Sequence, residues 1–386
     1  MAFGALFIIW IIRYLKIDRS KISIFIKKHI WLSVFIAIFL ISSVISVFVS
    51  DMVLKSLGQW RAYFLEPALL FIILIGRRDE IKPKELSWAL IFSSLSITIY
   101  SIFQKYTGLG IATAEWTNEA TRRVTAFYTS PNAVGLYLGP VFVLLCGLVY
   151  TRFFAKKGPG RIVDVLDPQF QKNNTNLNWL LGILIIITAA AIYFTKSQGA
   201  WIAVATGLVI FIYFIGYKKL AGWLVVAGVV AILFVPSMRS AVTFQKKSDQ
   251  NRLTLWTYSW NYLKASPQNF VFGTGIRQFF RKIQKPYYND QEMERLIYPH
   301  NIFLNFWTET GLFGMLSFIG ILGAAFWTAW KIKYKDKIFG ACMITVLITV
   351  LVHGLVDVPY FKNDLAMYFW ILTAVIFGYH ENFRQS

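Results

Sequence analysis

Acidic residues are scarce in this chain. Its 386 residues hold 19 Asp and Glu against 39 Lys and Arg, and only 15% of residues are charged at all. There are two cysteines and four histidines. Cys146 and Cys342 both lie inside apolar runs, so they read as packing residues and report nothing about redox compartment. No Cys-x-x-Cys and no paired-histidine spacing occurs, so no metal motif is legible and no cofactor is called for. The short apolar run Phe3–Ile12 has no basic stretch before it and no small-residue cleavage site after it, which argues against a signal peptide.

Apolar residues fill the space that charge leaves. They make up 56% of the chain, and mean hydropathy is +0.54; soluble domains lie nearer about 45–50% apolar. Apolar runs of about 17–20 residues recur along the whole length, the length a helix needs to cross a bilayer. Lipid offers no partner to backbone N–H and C=O groups, so each run is a helix or part of a closed barrel. The runs lack period-2 alternation, which favours helices. The expectation is one all-α, polytopic helical membrane domain over 1–386. Its spans fall near 2–12, 30–50, 60–76, 86–104, 132–151, 179–195, 199–217, 220–236, 301–330, 338–356 and 364–380. A twelfth upstream span would give the ordinary cytoplasmic start, so the count is about 11–12.

The net charge of +20 fits this scheme. Loops 13–29, 77–85, 152–178, 218–219 and 331–337 carry 6, 4, 5, 2 and 4 Lys or Arg. Alternating spans put all five on one side, which the positive-inside rule makes cytoplasmic. The basic balance is thus explained by topology, and no nucleic-acid partner is expected. The long loop 237–300 falls on the other, extracytoplasmic side. It carries ten Lys or Arg against four acids, and an anionic ligand is one reason for that.

Within that loop, Leu253, Trp256, Trp260 and Leu263 recur at helical spacing. This predicts an amphipathic helix on the membrane interface, capped by Asp249 or Ser248, with Arg252 at its N-terminal end. A guanidinium beside free helix-end N–H groups suits a phosphate. Pro267 to Gly275 reads as a turn whose glycines allow positive φ. Arg277, Arg281, Lys282 and Lys285 read as a solvated face or an extension of the anion surface. His300 stands at the start of the next span, where a neutral imidazole can accept a proton from a hydroxyl near neutral pH; a hydrogen-bonded interfacial histidine is the plainer alternative.

Other polar residues fall on the same side by alternation. Arg61 precedes Glu66-Pro67, Arg122 and Arg123 precede Ser130-Pro131-Asn132, and Lys196-Ser197-Gln198 links two spans. His353 and Asp357 approach that face from a late span, and Glu309-Thr310-Gly311 offers a helix break. Charged groups so close to hydrocarbon are expensive and often functional.

The order of these pieces resembles the O-antigen ligase family, which includes O-antigen and exopolysaccharide polymerases. The matching stretches are Arg123-Val124-Thr125-Ala126-Phe127 with Ser130-Pro131-Asn132-Ala133, then Ser197-Gln198-Gly199-Ala200-Trp201. Arg252-Leu253-Thr254-Leu255-Trp256 follows with Pro267 to Gly275. Pro299-His300-Asn301-Ile302-Phe303-Leu304 comes last, with Glu309-Thr310-Gly311-Leu312. The resemblance covers roughly residues 60–360. It implies a GT-C-like fold in the bacterial inner membrane, with an extracytoplasmic active site among membrane lipids. It also implies inverting, metal-independent transfer of a glycan from an undecaprenyl-diphosphate carrier to a hydroxyl on a glycan, lipid or protein acceptor. On that basis His300 is the general base and Arg252 the main diphosphate ligand, supported by Arg123 or Arg122, with Gln198, Lys196 and Arg61 as further ligands. Gln198 departs from the pattern, because many members carry arginine there. It donates hydrogen bonds without charge, and Lys196 lies two residues earlier. Ligases and polymerases share these stretches. A transporter of a lipid-linked or anionic solute and a non-catalytic envelope scaffold are the readings outside the enzyme class.

Overall fold

The structure, a computed structural model, describes residues 19–154, 175–287 and 295–385. The expected span at 2–12 and most of the basic loop 152–178 lie outside these. Among the described residues all regular elements are helical and no strand occurs. We label them α1 (Arg19–Lys28), α2 (Ile30–Val49), α3 (Val53–Trp60), α4 (Glu66–Gly76), α5 (Pro83–Thr107), α6 (Pro131–Phe153), α7 (Thr175–Phe194) and α8 (Gln198–Ile215). Then follow α9 (Lys218–Phe234), α10 (Pro236–Val242), α11 (Lys247–Lys264), α12 (Pro267–Phe272), α13 (Ile302–Lys333), α14 (Lys337–Gly354) and α15 (Asn363–Gln385).

Seven of the described helical stretches are long and apolar enough to cross a bilayer: Ile30–Val49, Val53–Gly76, Glu85–Thr107, Pro131–Phe153, Gln198–Ile215, Ile302–Lys333 and Lys337–Gly354. The stretch Val53–Gly76 joins α3 to α4 through a π-helical turn at Arg61–Leu65. Three further helices, α7, α9 and α15, occupy the expected spans at 179–195, 220–236 and 364–380.

The chain divides into two compact units. Unit 1 combines residues 1–82, 247–325 and 354–386, and its core is aromatic. Phe39, Phe64, Phe71, Phe306, Phe318, Tyr360, Phe361 and Trp370 are all within 2% of full burial. Edge-on and tilted contacts join them, with Phe306 stacked on Phe318 at 4.1 Å. Those last two residues flank a break in α13. Gly311 has φ 77° and ψ 179°, and a Cβ there would run into the carbonyl oxygen of Val271. Only glycine fits that backbone at that approach. The break separates a short first segment, residues 302–310, from the rest of α13.

Unit 2 combines residues 83–246 and 326–353. Its most buried span is α6, where small residues let helices close in. A Cβ on Gly147 would lie 2.7 Å from Cys342 Sγ, and Gly135 faces Ala200 and His353. Cys146 and Cys342 are both unpaired thiols in this packing. Ser130 caps α6, its Oγ accepting from Asn132 N at 3.3 Å, with Pro131 at the first helical position.

Candidate active site

In unit 1 the described residues between 247 and 300 fold mainly into helices, and two expectations change. The helix carrying Arg252 begins at Lys247, so Asp249 lies in its first turn and is not its cap. Arg252 therefore sits in the second turn, away from the free N–H groups. The face of α11 buried within the protein is Leu255, Ser259 and Leu263, while Leu253 and Trp260 of the predicted interfacial stripe are 42% and 46% exposed. Leu255 packs with Phe279 and Ile283, and Tyr258 and Tyr262 flank that cluster. The loop's own residues thus supply the partner for this face, which one-helix periodicity could not show. Finally, Pro267 to Phe272 is a helix, capped by Ser266 Oγ on Asn269 N at 3.0 Å. Gly273 and Gly275 do take positive φ, 69° and 88°, but they are pressed on the protein's own backbone at Thr308 and Ser50. These two glycines serve packing, and no phosphate cradle is needed to explain them.

His300 occupies the turn before α13 with φ 52°, a left-handed conformation costing a non-glycine residue about 1–2 kcal/mol. Neighbours on both sides hold it there. Trp256 Nε1 donates to the carbonyl of Pro299 at 2.8 Å. Asn301 Oδ1 accepts from Phe303 N and Leu304 N, both at 3.1 Å, and its amide donates to Leu355 O. The imidazole Nδ1 lies 3.2 Å from Asp357 Oδ1, which also accepts from Val358 N at 2.9 Å. Asp357 is 6% exposed. A carboxylate accepts only, so it fixes the tautomer with the proton on Nδ1 and leaves Nε2 as an acceptor. Sequence placed Asp357 near this face without pairing it, because 57 residues separate the two.

Arg252 reaches the same neighbourhood through α11. Arg252 and Trp256 are four residues apart and share one helix face, and Trp256 is the residue that grips Pro299. Arg252 Nη1 donates to Asp249 Oδ1 at 2.6 Å, and its side chain is 19% exposed. Arg61 has an open side chain, 68% exposed, with Nε 3.2 Å from Glu66 Oε1.

Tyr298 is the other titratable group in the His300 turn. Burial first, then the neighbouring Tyr63 and Glu309, pushes its hydroxyl well above the ordinary phenol range. Its hydroxyl donates to Phe361 O at 3.0 Å. It stays protonated near neutral pH. Glu309, in the first segment of α13, accepts from Arg277 N at 2.9 Å and so pins the turn after Gly275.

Unit 2 holds the remaining predicted residues. Arg122 is 9% exposed and donates from Nε to Thr117 O and from Nη1 to Lys105 O, at 3.0 and 2.8 Å. Arg123 donates to Thr195 O at 2.9 Å and to Asn132 Oδ1 at 3.3 Å, and lies over the Trp116 ring. Arg123 fastens the segment before α6 to the end of α7, and Arg122 fastens it to the end of α5. Lys196, exposed and at φ 51°, begins the turn into α8, where Ser197 Oγ caps Ala200 N and Gln198 stands half-buried in the first turn. Arg123, Lys196 and Gln198 are thus neighbours along one polar edge of unit 2.

A protein-family model for O-antigen ligase matches residues 183–319. That stretch of the chain is similar to the O-antigen ligase family. It takes in Lys196, Gln198, Arg252 and His300, while Arg61, Arg122, Arg123 and Asp357 lie in the flanking sequence. No curated protein matches the chain. The protein is a multi-pass membrane protein with this similarity across its later spans.

Proposed function

We propose that the protein transfers a glycan from an undecaprenyl-diphosphate carrier to an acceptor hydroxyl, on the extracytoplasmic face of the bacterial inner membrane. The observation that carries this reading is the His300–Asp357 pair, held in a strained turn that Trp256 ties to the helix bearing Arg252. The family match implies lipid-linked glycan substrates in general, and the distribution of Lys and Arg supports the choice of face.

In this reading His300 Nε2 takes the proton of the acceptor hydroxyl, and Asp357 stabilises the imidazolium that forms. The acceptor oxygen bonds to the anomeric carbon while the bond from that carbon to the phosphate oxygen breaks. The electron pair leaves on the carrier diphosphate, so charge grows there in the transition state. Arg252, fixed in place before the reaction, stabilises that charge without reorganising. A single displacement inverts the anomeric centre, and no step calls for a metal. Arg123, Lys196 and Gln198 are further candidate diphosphate ligands, and Arg61 offers an open cation; Arg122 supports them by holding the loop that presents Arg123.

The ligase and polymerase readings differ only in the acceptor, so one test covers both. Release of undecaprenyl diphosphate from the lipid-linked glycan of the native membranes is followed for wild type and His300→Ala. The variant is expected to lose about 10²–10⁴-fold in rate while inserting and melting normally. A variant that releases the carrier at the wild-type rate would remove His300 from the chemistry.

A further inference from the structure

Asp249 carries an unexplained acceptor. The residue is 6% exposed. Its Oδ1 accepts from Arg252 Nη1 at 2.6 Å and from Ser248 Oγ at 3.5 Å. Its Oδ2 is buried and has no hydrogen-bond partner among the described residues. A buried carboxylate oxygen without a donor is costly, and native structures keep such atoms satisfied. Holding Arg252 accounts for one oxygen only.

What would satisfy the second oxygen follows from its position. A carboxylate accepts and never donates while ionised, so it repels a phosphate and takes a hydroxyl or an amide N–H. Yet it shares its carboxyl group with the oxygen that grips Arg252, so the incoming donor must lie close to whatever Arg252 binds. If Arg252 holds the carrier diphosphate, the nearest such donors belong to the sugar bonded to that diphosphate. The group at C2, next to the anomeric carbon, is the closest of them, either a hydroxyl or an acetamido N–H.

We propose that Asp249 is a specificity-determining residue that receives a hydrogen bond from the diphosphate-bearing sugar of the donor. This rests on the carrier reading above. Asp249 then has two tasks on one side chain. Oδ1 sets the Arg252 guanidinium for the diphosphate, and Oδ2 distinguishes a loaded carrier from the spent one, which has no sugar to offer. That division also favours release of the product carrier, since undecaprenyl diphosphate leaves Oδ2 unsatisfied again.

The test compares two ligands on purified protein: undecaprenyl diphosphate, and undecaprenyl-diphosphate-linked N-acetylglucosamine. Asp249→Asn is the variant, because the amide keeps one oxygen for Arg252 and replaces the acceptor at Oδ2 with a donor. Wild type is expected to bind the sugar-bearing carrier more tightly than the bare one. Asp249→Asn should lose about tenfold of that preference, read as the ratio of the two affinities and equal to the worth of one hydrogen bond to a charged acceptor. Retention of the full preference overturns the proposal. So does equal weakening toward both ligands, which would make Asp249 a positioning residue for Arg252 alone. Wild type binding both carriers equally overturns it too and leaves the carrier reading standing. Wild type binding neither brings down the carrier reading and this proposal with it. Melting of the purified variant, read alongside, separates each outcome from misfolding.

Discussion

Replacing Asp357 with asparagine is the sharpest test of the His300 turn. The amide is nearly the same size, and its oxygen can still accept from Val358 N, so the turn should keep its shape. What changes is the charge facing Nδ1, 3.2 Å away in the wild type. In the proposed reaction the imidazole gains a proton and becomes a cation, so the interaction with Asp357 is stronger in the transition state than in the ground state. A hydrogen bond to a charged group is worth about 1.5–3 kcal/mol, and at about 1.4 kcal/mol per tenfold this is roughly a 10–150-fold loss in rate. Because the interaction grows in the transition state, the loss belongs in kcat. Carrier affinity should stay at the wild-type value, since Arg252 is untouched. The assay is release of undecaprenyl diphosphate under single-turnover conditions, with carrier binding measured separately on the same preparation. A rate within twofold of wild type, or a loss confined to carrier affinity, would refute the base-and-orienter assignment.

Arg252→Lys keeps the positive charge but loses the planar fork of donors, so undecaprenyl diphosphate should bind at least about tenfold more weakly in a titration. Trp256→Phe removes the donor to Pro299 O and should reduce transfer more than it reduces the melting temperature, because the tie acts on the His300 turn. Gly311→Ala forces a side chain into the Val271 carbonyl at φ 77°, and should cost about 1–3 kcal/mol or more, read as a lower melting temperature. Glu381 gives a pH prediction. Burial alone would raise its carboxyl, but hydrogen bonds from His29 and Lys28, with their charges, lower it from the usual 4.5 to about 2. A carboxyl depressed on folding stabilises the native state above its unfolded value, and that stability is lost as pH falls toward the folded value. The melting temperature should therefore drop between about pH 4.5 and pH 2, and Glu381→Gln should flatten that part of the curve.

Helices and their order were legible because lipid makes the rule simple: an apolar run of span length must be a helix. Helices fill the described spans from 30–50 to 364–380, and Gly311 breaks α13 where Glu309-Thr310-Gly311 suggested it would. The outer segment was harder. A face such as Leu253 and Trp260 can be read from spacing, but which face is buried depends on the partner, and here the partner is Phe279 and Ile283 of the same loop. Gly273 and Gly275 were read as turn glycines free to take positive φ, which they do, but sequence cannot say which backbone approaches them. Likewise, Arg122 and Arg123 were placed together by adjacency. Consecutive residues point differently, and the structure buries one on loop carbonyls and lays the other over Trp116.

The charge pattern in unit 1 bears on how an anion would be held. Three cations there are paired with carboxylates: Arg252 with Asp249, Arg61 with Glu66 and Lys282 with Asp51. At first sight this weakens the case for a diphosphate site, since each carboxylate opposes the ligand. The pairs differ in burial, however. Arg61 and Asp51 are open to solvent, where ion pairs are worth little and rearrange easily. Asp249 is buried and takes a single guanidinium nitrogen, so most of the five N–H donors of Arg252 lie outside this pair. Such an arginine cannot swing away when the carrier is absent, and it need not be ordered when the carrier arrives. A charged group fixed in advance stabilises developing charge better than a mobile one, because no reorganisation is required during the reaction. The buried pair therefore favours Arg252 over the more exposed Arg61 as the cation that acts in the transition state.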